Sequence, residues 1–367
     1  MERVMDGRPV GAMNGEPLIL AINPGSTSTR VAVYRGEEPV AEEEAPLTAD
    51  DSAVTLDLWS QIGLREEVIR RFLARIGVEP HELAVVVGRG GLLRPLDGGA
   101  YRVNEAMLRD ARAGLRGQHP SNLGCALAEA VARPVSIPAL IVDPVSVDES
   151  EELAEYSGLA EVRRRTFSHA LSIHACARRH AVDQDRPLEE VNVVVAHLGG
   201  GISVCPVRGG RIVDANNAVS EGPFSPQRSG GLPVQELLEL AFSGDHDRDS
   251  LVALTTRRGG LVSYLGTSDA REVEDRIASG DREAERVYRA MAYQIAKEIG
   301  AMATVLEGEV DAILLTGGLA RSPLLTGWIL NRVGFIAAVR TLPIHEMDAL
   351  AAGALAVLRG EELALSY

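Results

Sequence analysis

VNVVVAHLGGGISVCPVRGGRIVDANNAVSEGPFSPQRSGG, residues 191–231, is the stretch whose reading decides the fold. Val191 and Val193–Ala196 form an apolar run too short for a helix of its own, which predicts a buried strand. His197 follows, then the glycines Gly199, Gly200 and Gly201. A second strand is predicted over Ile202–Val207, then an Arg-Gly-Gly turn and a third strand over Arg211–Asp214. Glycines between two strands allow a positive φ and leave backbone N–H groups uncovered by side chains. A cluster of such groups is an anion site, and phosphate is the usual anion. The same residues also make a plain glycine-rich hairpin with no ligand, and the stretch alone does not choose between the two.

An echo near the N-terminus weights the choice. Leu18–Tyr34 reads LILAINPGSTSTRVAVY, again strand, small polar turn and strand, about 175 residues earlier in a chain of 367. That recurrence points to two related halves. Two such hairpins facing each other resemble the plan of the acetate/sugar kinase, Hsp70 and actin superfamily. HLGGGISV, NNAVSEGPFSPQRSGGLP, VVVGRGGLLRPL, HPSNLGCALA, VDPVSVDE and FSHALSIHA carry a closer resemblance, to the acetate kinase family in its butyrate kinase form. It runs from about Leu18 to the C-terminus. It implies an α/β fold of two duplicated actin-like (ribonuclease H-like) domains with a nucleotide cleft between them. The expected division is a flexible extension over residues 1–16, then an N-terminal domain over 17–186 on the acyl-substrate side. The helix in 346–367 completes that domain, and a nucleotide-binding C-terminal domain spans 187–345. The hinge is expected in the polar stretch Val182–Glu190, which contains Pro187.

Composition bounds the rest. At 46% hydrophobic residues the chain can fill two ordinary cores. A net charge of −15 argues against nucleic acid or an anionic membrane as partner. Cys125, Cys176 and Cys205 form neither a metal pattern nor a disulfide framework, so a reducing cytoplasm is expected. No apolar run reaches membrane-spanning length. Met1–Glu16 lacks the apolar core of a signal peptide. Lys297 is the only lysine and lies in a helical run, AYQIAKEIGAMA. A P-loop and a protein kinase each need a lysine on the nucleotide phosphates, so both are excluded.

Individual residues carry two readings each. Asn23, Ser26, Thr27 and Ser28 are ordinary turn formers. In the family the matching residues face the nucleotide phosphates and Mg²⁺. Arg89 sits in GRGG at the end of a predicted strand, where an arginine is often a surface charge. The resemblance puts it, with Gly90 and Gly91, at the substrate. Acetate kinases have histidine at Arg89 and their functional arginine where this chain has Val86; GRGG is the butyrate kinase form. His119 and Asn122 match the acyl-phosphate site. Asp143 ends a strand, a place for metal or arginine-orienting duty. Asp148, Glu149, Glu151 and Glu152 read as a solvated helix start, and Arg163–Arg165 as surface. His169 falls on a first helical turn, where anions are favoured, and matches the family histidine at the transferring phosphoryl group. His174 and His180 match nothing. Arg228 lies in loop chemistry, SPQRSGG. The resemblance implies that His197 and Gly199–Gly201 fall on the nucleotide side and that Gly317 and Gly318, otherwise a tight strand-to-helix turn, form the adenosine element. Glu346 opens the last predicted helix (Glu346–Arg359). It reads as a helix-start acid or, by resemblance, as a metal ligand with Asn23.

The implied reaction is butanoate plus ATP giving butanoyl phosphate plus ADP, with Mg²⁺ or Mn²⁺. A carboxylate with a pKa near 4 is already ionised at pH 7, so it needs no general base. It needs positive charge to approach a triphosphate, and Arg89, Arg228, His169 and the metal supply it. Isobutanoate, acetate and propanoate remain open as acceptors. A sugar kinase or exopolyphosphatase would need an aspartate base, for which Asp143 is the one candidate. An Hsp70-like switch would need an appended substrate domain beyond Tyr367. A homo-oligomer, dimer or higher, is expected, since relatives assemble through the second domain.

Overall fold

A computed structural model describes residues 15–47 and 57–367. Residues 1–14 of the expected extension lie outside the described residues. The chain begins with β1 (Leu18–Pro24), β2 (Ser28–Arg35), β3 (Glu38–Pro46), α1 (Ile62–Ile76), β4 (Leu83–Arg89), β5 (Ala100–Arg102), α2 (Glu105–Ala113), α3 (Leu123–Ala132) and β6 (Ala139–Val142). It continues with α4 (Ala170–Asp183), β7 (Asn192–Leu198), β8 (Ile202–Arg208), β9 (Arg211–Ile212), α5 (Val234–Phe242), α6 (Arg248–Thr256), α7 (Gly260–Leu265), α8 (Ala270–Ala278), α9 (Arg282–Val305) and β10 (Ala312–Thr316). α10 (Pro323–Val333), β11 (Ala338–Thr341), α11 (Glu346–Arg359) and β12 (Leu365–Ser366) complete it. Among the described residues no helix is long and apolar enough to cross a membrane.

Two compact units result. The first holds the described residues up to Val147 together with His345–Tyr367; the second holds Asp148–Ile344. The first sheet has the order β12-β5-β6-β4-β1-β2-β3 and the second β11-β10-β7-β8-β9. In each, a hairpin pair and a third antiparallel strand stand on one side, and parallel strands extend the sheet on the other. The five strands β6-β4-β1-β2-β3 and β11-β10-β7-β8-β9 thus share one topology, the physical form of the repeat read in the sequence; the first sheet adds β5, antiparallel to β6, and β12, parallel to β5. The central parallel strands are continuous apolar runs because helices cover both faces, whereas the edge strand β11 is largely exposed. Ile19–Ile22, Val85–Val87, Val193–Ala196 and Ile313–Leu315 are fully or almost fully buried.

The unit boundary differs from the expectation at 186/187. α4 packs on β7 and β10 of the second sheet, burying Leu171, Ile173, Cys176, Ala177 and Ala181. The polar stretch with Pro187 is thus a helix-to-strand turn inside the second unit, and residues 148–186 belong there. α11 returns to the first unit and packs on β1, β4 and β6.

One helix approaches its sheet unusually closely. A Cβ built on Gly124 in α3 would drive into the backbone carbonyl of Arg89, and one on Gly88 into that of Gly124. Helix propensity alone predicts that Gly124→Ala stabilises the fold by about 1 kcal/mol. The backbone contact predicts a loss of about 1–3 kcal/mol instead. A thermal melt of G124A decides the sign, and a raised Tm would remove the close approach from the account.

Candidate active site

In the first unit, the carboxyl ends of three parallel strands align. Ile22 lies opposite Gly88, and Arg89 opposite Val142. Asn23, Arg89 and Asp143 therefore end neighbouring strands at one edge of the sheet, where open α/β sheets bind ligands. Packing of α11 brings its first residue, Glu346, to the same edge. Arg89 Nη1 donates to Glu346 Oε2 at 3.0 Å and to Asn23 Oδ1 at 3.4 Å. Asn23 Nδ2 donates to the same Glu346 oxygen at 2.8 Å. Three expected site residues, from positions far apart in sequence, thus form one hydrogen-bonded cluster with half-buried arginine and glutamate side chains.

Asp143 sits beside them with φ of 40°, the left-handed region that costs a non-glycine residue. Its buried carboxylate accepts from the Gly99 N–H at 2.7 Å, and its own N–H donates to Gly99 O at 3.0 Å. The strain is held by bonds that position the segment entering β5, and strain of this kind gathers at functional sites.

Other expected residues have structural tasks. Asn122 is fully buried. It accepts from Leu92 N–H at 2.8 Å and donates to Gly117 O at 3.0 Å and Ala111 O at 3.3 Å. All of these partners are backbone, so Asn122 ties the chain at Leu92 to the loop at Gly117. Gly90 and Gly91 are glycine because a Cβ would meet Pro144 and Asn122, so packing accounts for the GRGG spacing. His119 is exposed, and its Nδ1 caps the turn Pro120–Asn122 by accepting from Ser121 N–H at 3.2 Å. In the β1–β2 turn, Ser28 Oγ donates to Glu44 at 2.7 Å, leaving Ser26 and Thr27 as its exposed residues.

In the second unit, β7 and β10 are parallel with His197 opposite Thr316. His197, Gly199–Gly201, Gly317 and Gly318 therefore share one carboxyl edge. Gly317 has φ of 86°, and a Cβ there would press on the backbone of Leu198. His169 is the residue just before α4 rather than in its first turn. Its ring stacks on His197 with centroids 3.9 Å apart and planes 6° off parallel. His169 Nδ1 lies 2.9 Å from Ser203 Oγ, and its backbone N–H donates to the same oxygen at 3.3 Å. The serine contact holds the imidazole by its Nδ1 edge. Ser203 is fully buried and faces His197 across the hairpin. It is a site residue that the sequence reading missed, although its place opposite His197 follows from the register of HLGGGISV.

Arg228 belongs to the same place. Its Nη1 donates to Ala218 O at 2.7 Å. A Cβ on Gly201 would come within 2.7 Å of its guanidinium carbon, so that glycine makes room for the arginine. Ser225 Oγ donates to Gly200 O at 2.5 Å and accepts from the Arg228 N–H at 3.1 Å, tying the loop to the turn. Among the described residues no carboxylate pairs with Arg228, and burial pushes its pKa below the usual guanidinium value.

Two readings of charges as solvated are corrected here. Glu149 is buried, accepts from Ile212 N–H at 2.7 Å and meets His174 Nε2 at 3.3 Å. Arg164 donates to Asp214 and to Glu221, each at 3.1 Å, and to Ala154 O at 2.7 Å. Both ties fasten the segment leading to His169. The cysteines take no part: burial pushes Cys125 and Cys176 up to about 12 and raises Cys205 as well, so no thiolate forms at neutral pH.

Among the described residues no group of three or more His, Cys, Asp or Glu side chains could hold a metal ion. Asn23 and Glu346 offer one neutral and one anionic oxygen donor. So sparse a set suits a Mg²⁺ held mainly by substrate phosphates and water, not a dedicated protein cage.

Residues 153–333 match the sequence model of the Acetokinase family. "Probable butyrate kinase 2" of Caldanaerobacter subterraneus subsp. tengcongensis is 48% identical over 350 residues, covering 95% of this chain and 99% of that protein. "Butyrate kinase 2" of Clostridium acetobutylicum is 44% identical over 351 residues, covering 95% and 99%. Among solved structures, acetate kinase of Porphyromonas gingivalis matches with a TM-score of 0.76 at 18% identity, covering 93% of this chain and 100% of that one. That likeness bears on the fold, which is the duplicated actin-like α/β fold.

Proposed function

Because the chain belongs to the acetokinase family, we propose that it moves the γ-phosphoryl group of ATP onto butanoate, giving butanoyl phosphate and ADP. It is an ATP-dependent short-chain carboxylate kinase. Butanoate as the preferred acceptor follows the names of its relatives. The observation that carries the residue assignments is that each unit holds an arginine against its ligand edge, Arg89 beside Asn23 and Glu346, and Arg228 against the Gly199–Gly201 turn.

Phosphoryl transfer asks a protein for position and for positive charge, with little covalent chemistry. The acceptor is ionised at neutral pH, so no side chain has to remove a proton. Arg89 receives the carboxylate, its guanidinium oriented by Asn23 and Glu346. Asp143 acts through the backbone, fixing the segment beside that edge. Asn23 and Glu346 would also hold the divalent ion, which when bound neutralises triphosphate charge. The turn at Ser26–Ser28 and the glycines Gly199–Gly201 offer N–H and hydroxyl donors to phosphate oxygens, and Gly317 and Gly318 admit the adenosine. His169 donates to the transferring group, held in plane by His197 and Ser203. Arg228 lends its charge from a half-buried position, where it is worth more than in open water.

The test is formation of acyl phosphate, trapped as hydroxamate, from ATP, Mg²⁺ and a panel of butanoate, isobutanoate, propanoate and acetate. The highest kcat/KM is expected on butanoate, with no phosphorylation of glycerol or hexoses. Activity on those alcohols with none on the acids would overturn the reading. A clear preference for acetate would remove only the chain-length part.

A further inference from the structure

Among the described residues Arg65 is the largest fully buried side chain, and neither the sequence motifs nor the proposed mechanism uses it. It lies in α1, and all five of its N–H groups are spent on neutral acceptors. Nη1 donates to Ser28 O at 3.0 Å and Thr29 Oγ1 at 2.9 Å. Nη2 donates to Gly25 O at 2.8 Å and Gln61 Oε1 at 2.8 Å, and Nε to the same Gln61 oxygen at 3.3 Å. Among the described residues no carboxylate pairs with it. Burial pushes its pKa down to about 10, which leaves it protonated at neutral pH.

A buried cation without a counter-ion is costly, and such groups persist where the charge is used. The carbonyls it grips bracket the β1–β2 turn, which is closed by Gly25 N–H donating to Ser28 O at 2.9 Å. In a trans peptide the C=O and the following N–H point in opposite directions. Holding Gly25 C=O inward therefore turns the Ser26 N–H outward, on the side where Ser26 and Thr27 are exposed.

We infer that Arg65 is a positioning residue for the nucleotide polyphosphate, orienting the Gly25–Ser28 turn from behind and supplying an uncompensated positive charge through it. The inference rests on the reading of that turn as a phosphate site. The counter-ion missing from the fold is then the phosphate of the bound nucleotide.

Gln61→Glu tests the charge without removing the arginine. A carboxylate in place of the amide pairs with the guanidinium, keeps its bonds and cancels its charge. Binding of ATP, ADP and adenosine to the full chain is measured by calorimetry in excess Mg²⁺. Q61E is expected to weaken ATP by about tenfold or more, ADP by less and adenosine by under about twofold, because the loss grows with ligand charge, roughly fivefold per unit. Arg65→Gln should show the same gradient. Unchanged ATP binding in Q61E, or an equal loss of all three ligands, would overturn the inference. Thr27→Asp separates it from the reading beneath: a carboxylate in the exposed turn should weaken ATP strongly. If T27D binds ATP as the wild type does, the turn is not a phosphate site and it is that reading that fails.

Discussion

Arg228→Ala and Arg89→Ala are each expected to lower kcat for butanoate phosphorylation by two to three powers of ten. Losing a charged donor aimed at developing charge in a water-excluded site costs about 3–4 kcal/mol. Arg228 is the sharper case, because it is half-buried and, among the described residues, no acid neutralises it. Among the described residues its one side-chain bond goes to Ala218 O, so a loss of the loop tie has to be separated from a loss of charge. Arg228→Lys does that: the charge stays, the fork of donors is lost, and an intermediate rate is expected. Gly201→Ala should act in the same direction without touching the arginine, since its new methyl group occupies the guanidinium's place. Arg89 carries a second consequence. Its removal leaves Glu346 Oε2 with the Asn23 amide and without the guanidinium. A negative charge then faces the anionic acceptor, so KM for butanoate should rise as kcat falls. Coupled assays of kcat and KM on folded variants, checked by circular dichroism, give the answer. Near-wild-type turnover in either alanine variant would remove that arginine from the mechanism.

His169→Ala is expected to lower turnover by about a hundredfold, and His169→Gln by clearly less, with KM for ATP little changed. The acceptor carboxylate has no proton to give above about pH 5, so a base at this position has nothing to do. The geometry favours a donor. Ser203 Oγ sits against Nδ1, and the stack on His197 fixes the ring plane. Glutamine keeps an N–H donor of similar reach, whereas alanine keeps none. Ser203→Ala should act in the same direction as His169→Gln, since it frees the ring to turn. The opposing result is specific. Equal loss in both His169 variants, with a wild-type rate that follows one deprotonation near pH 6.5 and is lost on mutation, would make His169 a base.

Local chemistry made several elements legible in sequence. The two strand–turn–strand units at Leu18–Tyr34 and Val191–Val207 form as β1–β2 and β7–β8 because short apolar runs between small polar turns have few other ways to bury themselves. Asn104, a residue type that favours helix starts, caps α2 by accepting from Met107 N–H at 2.9 Å. The helix Glu346–Arg359 begins and ends where the pattern placed it. Asn23, Arg89 and Glu346 were each picked out by motif, and packing joined them into one cluster.

What only the tertiary structure decided concerns charge and ownership. An arginine or glutamate in a sequence defaults to solvent, because exposure is cheap and burial needs partners that distant segments supply. Arg65 lies in the apolar stripe of α1 with Ile62, Ile69, Phe72 and Leu73, a signal that was present, but its acceptors other than Gln61 come from a turn some 40 positions earlier. Glu149 and Arg164 went inside for the same reason, each meeting backbone or acids around positions 212–221. The amphipathic α4 could have covered either sheet, and the sequence does not say which apolar face it meets, so the unit boundary could not be read from the polar stretch at 182–190. By itself the sequence determined the two hairpins, the family and the reaction class, since these rest on local pattern and long motifs. The tertiary structure decided which charges are buried and which glycines serve packing, because both depend on contacts between residues far apart in the chain.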